Sequence, residues 1–195
     1  MTPIALLRHF PTDWNRDRRL QGRVDRPLTE DARAALATLA PPADWRGARV
    51  IASPLSRALD TARALWPAVE TDQRLVELAW GAWEGRRATE LLADPASGYA
   101  HVEAWGWSKR PPDGESPADA WARVAPLLAE IAADGRPTAL VLHRGVMRVI
   151  LARAWGWNFD RPEPFRIRRA RLMPLALDAS GAPCAPGPDL PLIPR

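Results

Sequence analysis

Short apolar runs alternate along the chain with longer stretches in which apolar residues recur every three or four positions. The first run, Pro3–Leu7, reads as a buried strand and ends abruptly at Arg8-His9, with a polar loop from there to Arg26. Thr29 is a good N-cap, with Leu28 as staple, for a helix carrying Ala35, Leu36 and Leu39 on one face until Pro41-Pro42 stops it. A second strand is predicted at Arg49–Ala52. Ser53 then caps a helix with Pro54 at its first position and a stripe of Ala58, Leu59, Ala62, Leu65 and Trp66. Arg74–Leu78 reads as a short strand, and residues 86–115, rich in Trp, Pro and charge, as an inserted flap. Ser116-Pro117-Ala118-Asp119 has the form of a capping box for a helix with Trp121, Val124, Leu128 and Ile131 inward, kinked by Pro126 and ended by Gly135. Thr138–Leu142 is the clearest buried strand. His143 follows, then a helix from Val146 to Trp155 stopped by Gly156, and a last strand at Arg171–Leu177.

Strands alternating with helices predict an α/β fold, helices covering both faces of a mainly parallel sheet. Residues 1–177 would form one domain carrying the flap at 86–115, and residues 178–195 a Pro-rich, irregular tail. The tripeptide Ala-Trp-Gly recurs at 79, 104 and 154, but its flanks do not, so no repeat architecture follows.

Composition narrows the partners. A length of 195 residues suits one domain. The basic residues comprise 26 arginines and the single lysine Lys109, for a net charge of +4, so planar fork donors for phosphate and carboxylate groups are abundant. They are scattered and not gathered in one block, which argues against a nucleic acid partner. One cysteine, Cys184, excludes an internal disulfide and a cysteine-based zinc site. No apolar run nears the roughly 18 residues of a membrane span, and Met1–Arg8 lacks the form of a signal peptide, so a cytoplasmic protein is expected.

Three predicted strands each run straight into a polar cluster: Ile4–Leu7 into Arg8-His9, Val50–Ala52 into Ser53-Pro54-Leu55-Ser56-Arg57, and Ala139–Leu142 into His143. In an open α/β sheet ligands bind beyond the carboxyl ends of the strands. Parallel neighbours would therefore bring two histidines and two arginines to one rim, with helix N-termini favouring anions. Such a pocket suits phosphoryl transfer. Neutral imidazole attacks phosphorus without prior deprotonation, arginines hold the oxygens, and a carboxylic acid with a raised pKa protonates the leaving alkoxide. Glu77, beside Leu78, Trp80 and Trp83, is the candidate acid in an apolar setting.

These residues resemble a known family. Leu7-Arg8-His9 with Thr12, Trp14, Asn15, Gln21-Gly22 and Asp25–Thr29, then Ser53–Ala62, Leu75–Glu77 through Gly85, Pro112–Ser116, and His143–Arg148 are similar, in order, to the motifs of the histidine phosphatase superfamily. This is the family of phosphoglycerate mutases, fructose-2,6-bisphosphatases and α-ribazole phosphatases. The resemblance implies a three-layer, phosphoglycerate mutase-like fold with a six-stranded mixed sheet, and no metal or other cofactor. It implies His9 as the phosphorylated nucleophile, Arg8, Arg57, Asn15 and His143 as phosphate-binding groups, and Glu77 as the acid. Glu84 is expected to be structural, and is the fallback acid.

Two positions depart from the family. Phe10 and Arg144 stand where glycine usually follows each histidine. With Pro11 behind it, Phe10 is expected at an ordinary negative φ. Arg144 either adds a third arginine to the pocket or pairs with Asp113 or Glu115, and favours substrates with additional negative charge. His101 is expected in the flap or at the surface. The leading expectation is a metal-independent phosphomonoesterase acting on a small phosphorylated metabolite. Glu77-Leu78-Ala79-Trp80-Gly81 favours it over a phosphoglycerate mutase-type phosphotransferase, whose segment reads Glu-Arg-His-Tyr-Gly. A non-catalytic phospholigand-binding module is the rival from another class. A homodimer is the default expectation, with neither membrane nor nucleic acid as partner.

Overall fold

The computed structural model describes residues 1–195. Its elements in chain order are β1 (Thr2–Arg8), α1 (Asp13–Arg16), α2 (Glu30–Ala37), β2 (Leu39–Ala40), β3 (Arg49–Ala52), α3 (Ser56–Leu65), β4 (Glu70–Thr71), α4 (Ala88–Leu92), α5 (Pro117–Asp134), β5 (Thr138–Leu142), α6 (Arg144–Trp155), β6 (Arg171–Leu177), β7 (Pro183–Cys184), β8 (Leu190–Pro191) and β9 (Ile193–Pro194). Seven strands form one sheet in the order β4-β3-β5-β1-β6-β7, with β8 also on β6; β2 and β9 pair separately. β4, β3, β5 and β1 run parallel, and β6 is antiparallel to β1. The sheet is thus mixed and mostly parallel, with seven strands in place of six: β1, β3, β4, β5 and β6 from residues 1–177, and β7 and β8 from the tail.

Alternation along the strands builds two cores. Ile4, Leu6, Ile51, Leu140 and Leu142 face a cluster shared with α5 and α6. Ala5, Leu7, Val50, Ala52, Ala139 and Val141 face a second cluster shared with α2 and α3. All five residues of β5 are buried, as a central strand covered on both faces requires.

Several elements differ from the sequence reading. No strand forms at Arg74–Leu78: the Asp72 side chain accepts from Arg74 N at 2.7 Å and turns Gln73–Leu75 into a single 3₁₀ turn, while the strand is β4. α3 begins at Ser56, not after Ser53, because its cap comes from elsewhere: both Asp25 carboxylate oxygens accept from Ser56 N, at 2.9 and 3.0 Å. α6 begins two residues early, at Arg144, with His143 as its N-cap. α2 buries Ala32 and Leu36, leaves Ala35 exposed, and ends at Ala37, so Leu39 enters β2. α5 keeps the predicted capping box and runs through Pro126 to its left-handed stop at Gly135. The tail is not irregular throughout: β7 and β8 extend the main sheet and β9 pairs with β2.

Candidate active site

The register of the parallel strands sets the rim. Arg8 lies opposite Leu142 and Ala52 opposite Val141. His9 N donates to Leu142 O and Ser53 N to Val141 O, both at 3.0 Å. The next residues, His9, Ser53 and His143, therefore emerge side by side, and the two imidazole centroids stand 5.2 Å apart.

Each ring is fixed in one tautomer by its partners. His9 Nδ1 lies 2.7 Å from the carbonyl oxygen of Phe10. A carbonyl only accepts, so Nδ1 carries the hydrogen and Nε2 keeps its lone pair. His143 Nδ1 accepts from Arg57 Nε at 3.2 Å, so its Nε2 carries the hydrogen and donates to Ser53 Oγ at 2.8 Å. Burial, followed by the Arg57 charge, pushes both pKa values well below the ordinary histidine value. Both rings are neutral at pH 7.

Arg57 lies behind the rings and not on the pocket wall. Fully buried, it also donates from Nη1 to Val24 O at 3.0 Å and from Nη2 to Gly22 O at 2.7 Å. Glu84 holds the same loop from its other edge, accepting from Gly22 N at 3.0 Å and Val24 N at 2.6 Å. Gly22 itself is required, because a Cβ there would sit 2.5 Å from Leu78 O. His143 is likewise fully buried, with both ring nitrogens engaged.

Glu77 reaches the rim from the segment after the 3₁₀ turn. The apolar setting expected for it is replaced by a cage of backbone N–H groups. Oε1 accepts from Leu78 N at 2.8 Å and Val146 N at 3.1 Å, and Oε2 from Gly145 N at 2.9 Å. Two of these donors belong to the first turn of α6, whose N-terminus leaves them free. The fit leaves no room for a side chain at 145, where a Cβ would lie 2.4 Å from Glu77 Oε1.

A cavity of about 600 Å³ opens in front of His9 and brings together Arg8, Asn15, Glu77 and Arg144 from among the expected residues. Asn15 also caps its own loop: Oδ1 accepts from Thr12 N and Nδ2 donates to Gln21 Oε1. Arg144 joins the pocket wall and reaches Glu163 at 3.5 Å, not Asp113 or Glu115. Phe10 is no part of the wall. Its φ is not positive, as expected, and its ring is buried in the α2–α3 core. Residues 86–115 are anchored by Trp105 and Tyr99, which pack edge to face or tilted against Trp80 and Trp83, and they offer Tyr99, exposed His101 and Trp105 to the cavity.

The sequence pattern gave no role to Arg148, which closes the last motif, and gave no sign of Glu163 and Arg169; all three are on the pocket wall. Arg148 forms an ion pair with Glu163. Arg169 Nε donates to the His9 carbonyl at 3.3 Å. The signal lay in the last strand: β6 runs antiparallel to β1 with Leu172 opposite Leu7, which carries the residues just before β6 to the His9 rim. Arg8 Nε, Arg169 Nη2 and Gln21 Nε2 are buried without a hydrogen-bond partner. Arg8 is pushed down from its ordinary pKa by burial, then by Arg169 and Arg144. A wall with unspent donors and mutually repelling cations is built to receive an anion.

The chain is similar to several known proteins. Glucosyl-3-phosphoglycerate phosphatase of Mycobacterium tuberculosis is 34% identical over 168 residues, covering 76% of this chain and 73% of the relative. Probable phosphoglycerate mutase GpmB of Enterobacter sp. is 36% identical over 136 residues, 67% of this chain and 63% of the relative. Among solved structures, mycobacterial glucosyl-3-phosphoglycerate phosphatase in complex with VO3 superposes with a TM-score of 0.76 at 30% identity, covering 90% of this chain and 93% of that one. Bacillus stearothermophilus YhfR superposes at 0.78 and 25% identity, covering 92% and 93%. Residues 4–184 match the histidine phosphatase superfamily, branch 1, and the chain belongs to that superfamily.

Proposed function

We propose that the chain is a phosphatase that hydrolyses a small phosphorylated metabolite through a phosphohistidine on His9. The observation that carries this reading is the fixed tautomer of His9, whose Nδ1–H is tied to Phe10 O while Nε2 keeps its lone pair beside a cationic cavity. Nε2 attacks phosphorus and the ester P–O bond breaks, with charge spread over three oxygens facing Arg8. Arg57 and His143 act from behind: Arg57 fixes the His143 tautomer and the Gly22–Val24 loop, and either ring or guanidinium meets the phosphoryl group only by exchanging a present partner.

Glu77 supplies the proton. Oε1 is filled by two N–H donors and Oε2 by one, so the remaining lone pair of Oε2 is the place for an acidic hydrogen. It passes to the leaving alkoxide, which departs as an alcohol. A water molecule then attacks the phosphohistidine, gives its proton back to Glu77, and breaks the P–N bond, releasing inorganic phosphate and neutral His9. Glu84 is occupied by two N–H groups of the neighbouring loop and keeps a structural role. The motive for a non-catalytic module weakens, because Phe10 is turned into the core and Arg144 stands on the pocket wall beside Glu163. No helix is long and apolar enough to cross a membrane, and a cytoplasmic place suits a chain whose single cysteine is free.

Hydrolysis of p-nitrophenyl phosphate in excess EDTA tests the proposal. Turnover that survives the chelator and falls at least about 1,000-fold in His9→Ala is expected. Turnover retained by His9→Ala, or lost in EDTA and restored by a metal, overturns it. Transfer requiring a bisphosphorylated primer would assign the chain to the mutases instead.

A further inference from the structure

The cavity holds more positive charge than one phosphate group needs. Six arginines and three glutamates line it, an excess of three positive charges with His9 neutral and Glu77 ionised and of four with Glu77 protonated, and a phosphate monoester dianion offsets two. The excess is local. Arg148 is taken up by Glu163, through Nε at 2.8 Å and a second contact from Nη2. Arg144 only reaches the same carboxylate oxygen at 3.5 Å. Arg169 spends Nε on the His9 carbonyl and leaves Nη2 buried and unpartnered. Both line the same cavity; burial and then the Arg144 charge push the Arg169 guanidinium below its ordinary pKa, and burial followed by Arg169 and Arg144 does the same to Arg8. A buried guanidinium donor left without a partner is costly, so the site gains by supplying it an anionic oxygen.

We propose that Arg144 and Arg169 form a second anion subsite beside His9, so that the preferred substrate is a phosphate monoester carrying a further anionic group, carboxylate or phosphate, a few bonds from the ester. This rests on the phosphatase reading. The two arginines come from separate elements, the first turn of α6 and the residue pair before β6, and converge only because β6 lies antiparallel to β1. Arg144 occupies a position where a glycine would leave the wall open, which makes the pair a specificity determinant and not part of the bond-breaking set.

The test compares kcat/KM within matched pairs: 3-phosphoglycerate against glycerol 3-phosphate for a carboxylate, and fructose 1,6-bisphosphate against fructose 6-phosphate for a phosphate. The native enzyme should favour the doubly anionic member of one pair by about tenfold or more, and the favoured pair identifies the group. Arg144→Gly and Arg169→Gln should each cut that ratio to within about threefold, whatever they do to the rate common to both members. No preference in either pair, or a ratio unchanged in both variants, overturns the subsite. Absence of His9-dependent turnover on every ester would instead overturn the phosphatase reading. The subsite is then decided by calorimetric titration of the same pairs into His9→Ala and its Arg144→Gly derivative, where the affinity ratio must fall in the same way.

Discussion

Single side chains carry the chemistry through what their neighbours leave free. Glu77→Gln keeps the size of the side chain but removes the exchangeable acid, so kcat should fall about 100- to 10,000-fold, most for esters of poor leaving groups. p-Nitrophenyl phosphate, whose leaving group needs little protonation, should lose much less, and equal losses on both would refute Glu77 as the acid. Phe10 shows where residue-level reading stops. Its negative φ was legible from Pro11, but its ring direction was not, because neither residue type nor spacing says which side of the sheet a rim residue faces. Replacing Phe10 with Gly should cost about 3–5 kcal/mol of stability by emptying a core site. Chemical denaturation would show it, and a loss of activity without a loss of stability would contradict that placement. The histidines and Glu77 were legible because each follows a readable strand or motif. Arg169 was not, since its approach to His9 depends on a strand pairing.

At the scale of elements, the start of α6 and the loop at Gly22–Val24 do the positioning. Gly145→Ala would drive a Cβ into Glu77 Oε1, so the carboxylate must leave its N–H cage. The expected outcome is a large fall in kcat with KM little changed and the fold intact; a fully active variant would refute the cage. Arg57→Ala would leave Gly22 O, Val24 O and His143 Nδ1 without their buried donor, at roughly 1–3 kcal/mol for each group that finds no water. Helix existence was readable from period and caps, as at Ser116 and Thr29. The start of α3 was not: Ser53 and Pro54 have the local chemistry of a helix start, yet the cap that operates is Asp25, 31 residues away. The same long-range supply explains Glu77, whose surroundings are set by α6 and not by the tryptophans next to it in sequence.

For the whole molecule, strand order makes the site. β5 inserts between β1 and β3, so three strand ends separated widely in sequence share one rim. The alternation of elements announced the layers, while the extra strands of the tail were hidden behind prolines that still pair at sheet edges. Burying two neutral histidines also makes stability depend on pH. Their folded pKa values lie below the unfolded value near 6.5, so the unfolded chain binds more protons as the solution acidifies. This contribution is complete above about pH 6.5 and is lost as pH falls toward the folded values, at up to about 1.4 kcal/mol per pH unit for each histidine. Thermal melts from pH 7.5 to 5 should therefore fall more steeply for the native chain than for His9→Gln/His143→Gln, and parallel curves would refute buried neutral rings. The covalent intermediate on His9 can be trapped. Native protein and Glu77→Gln are mixed with a labelled phosphate ester, quenched in alkali and digested for peptide mapping. Label is expected on the peptide containing His9, stable to alkali, labile to acid and longer-lived in Glu77→Gln. Label on another residue, or turnover with no labelled protein at any time, would contradict a covalent intermediate on His9.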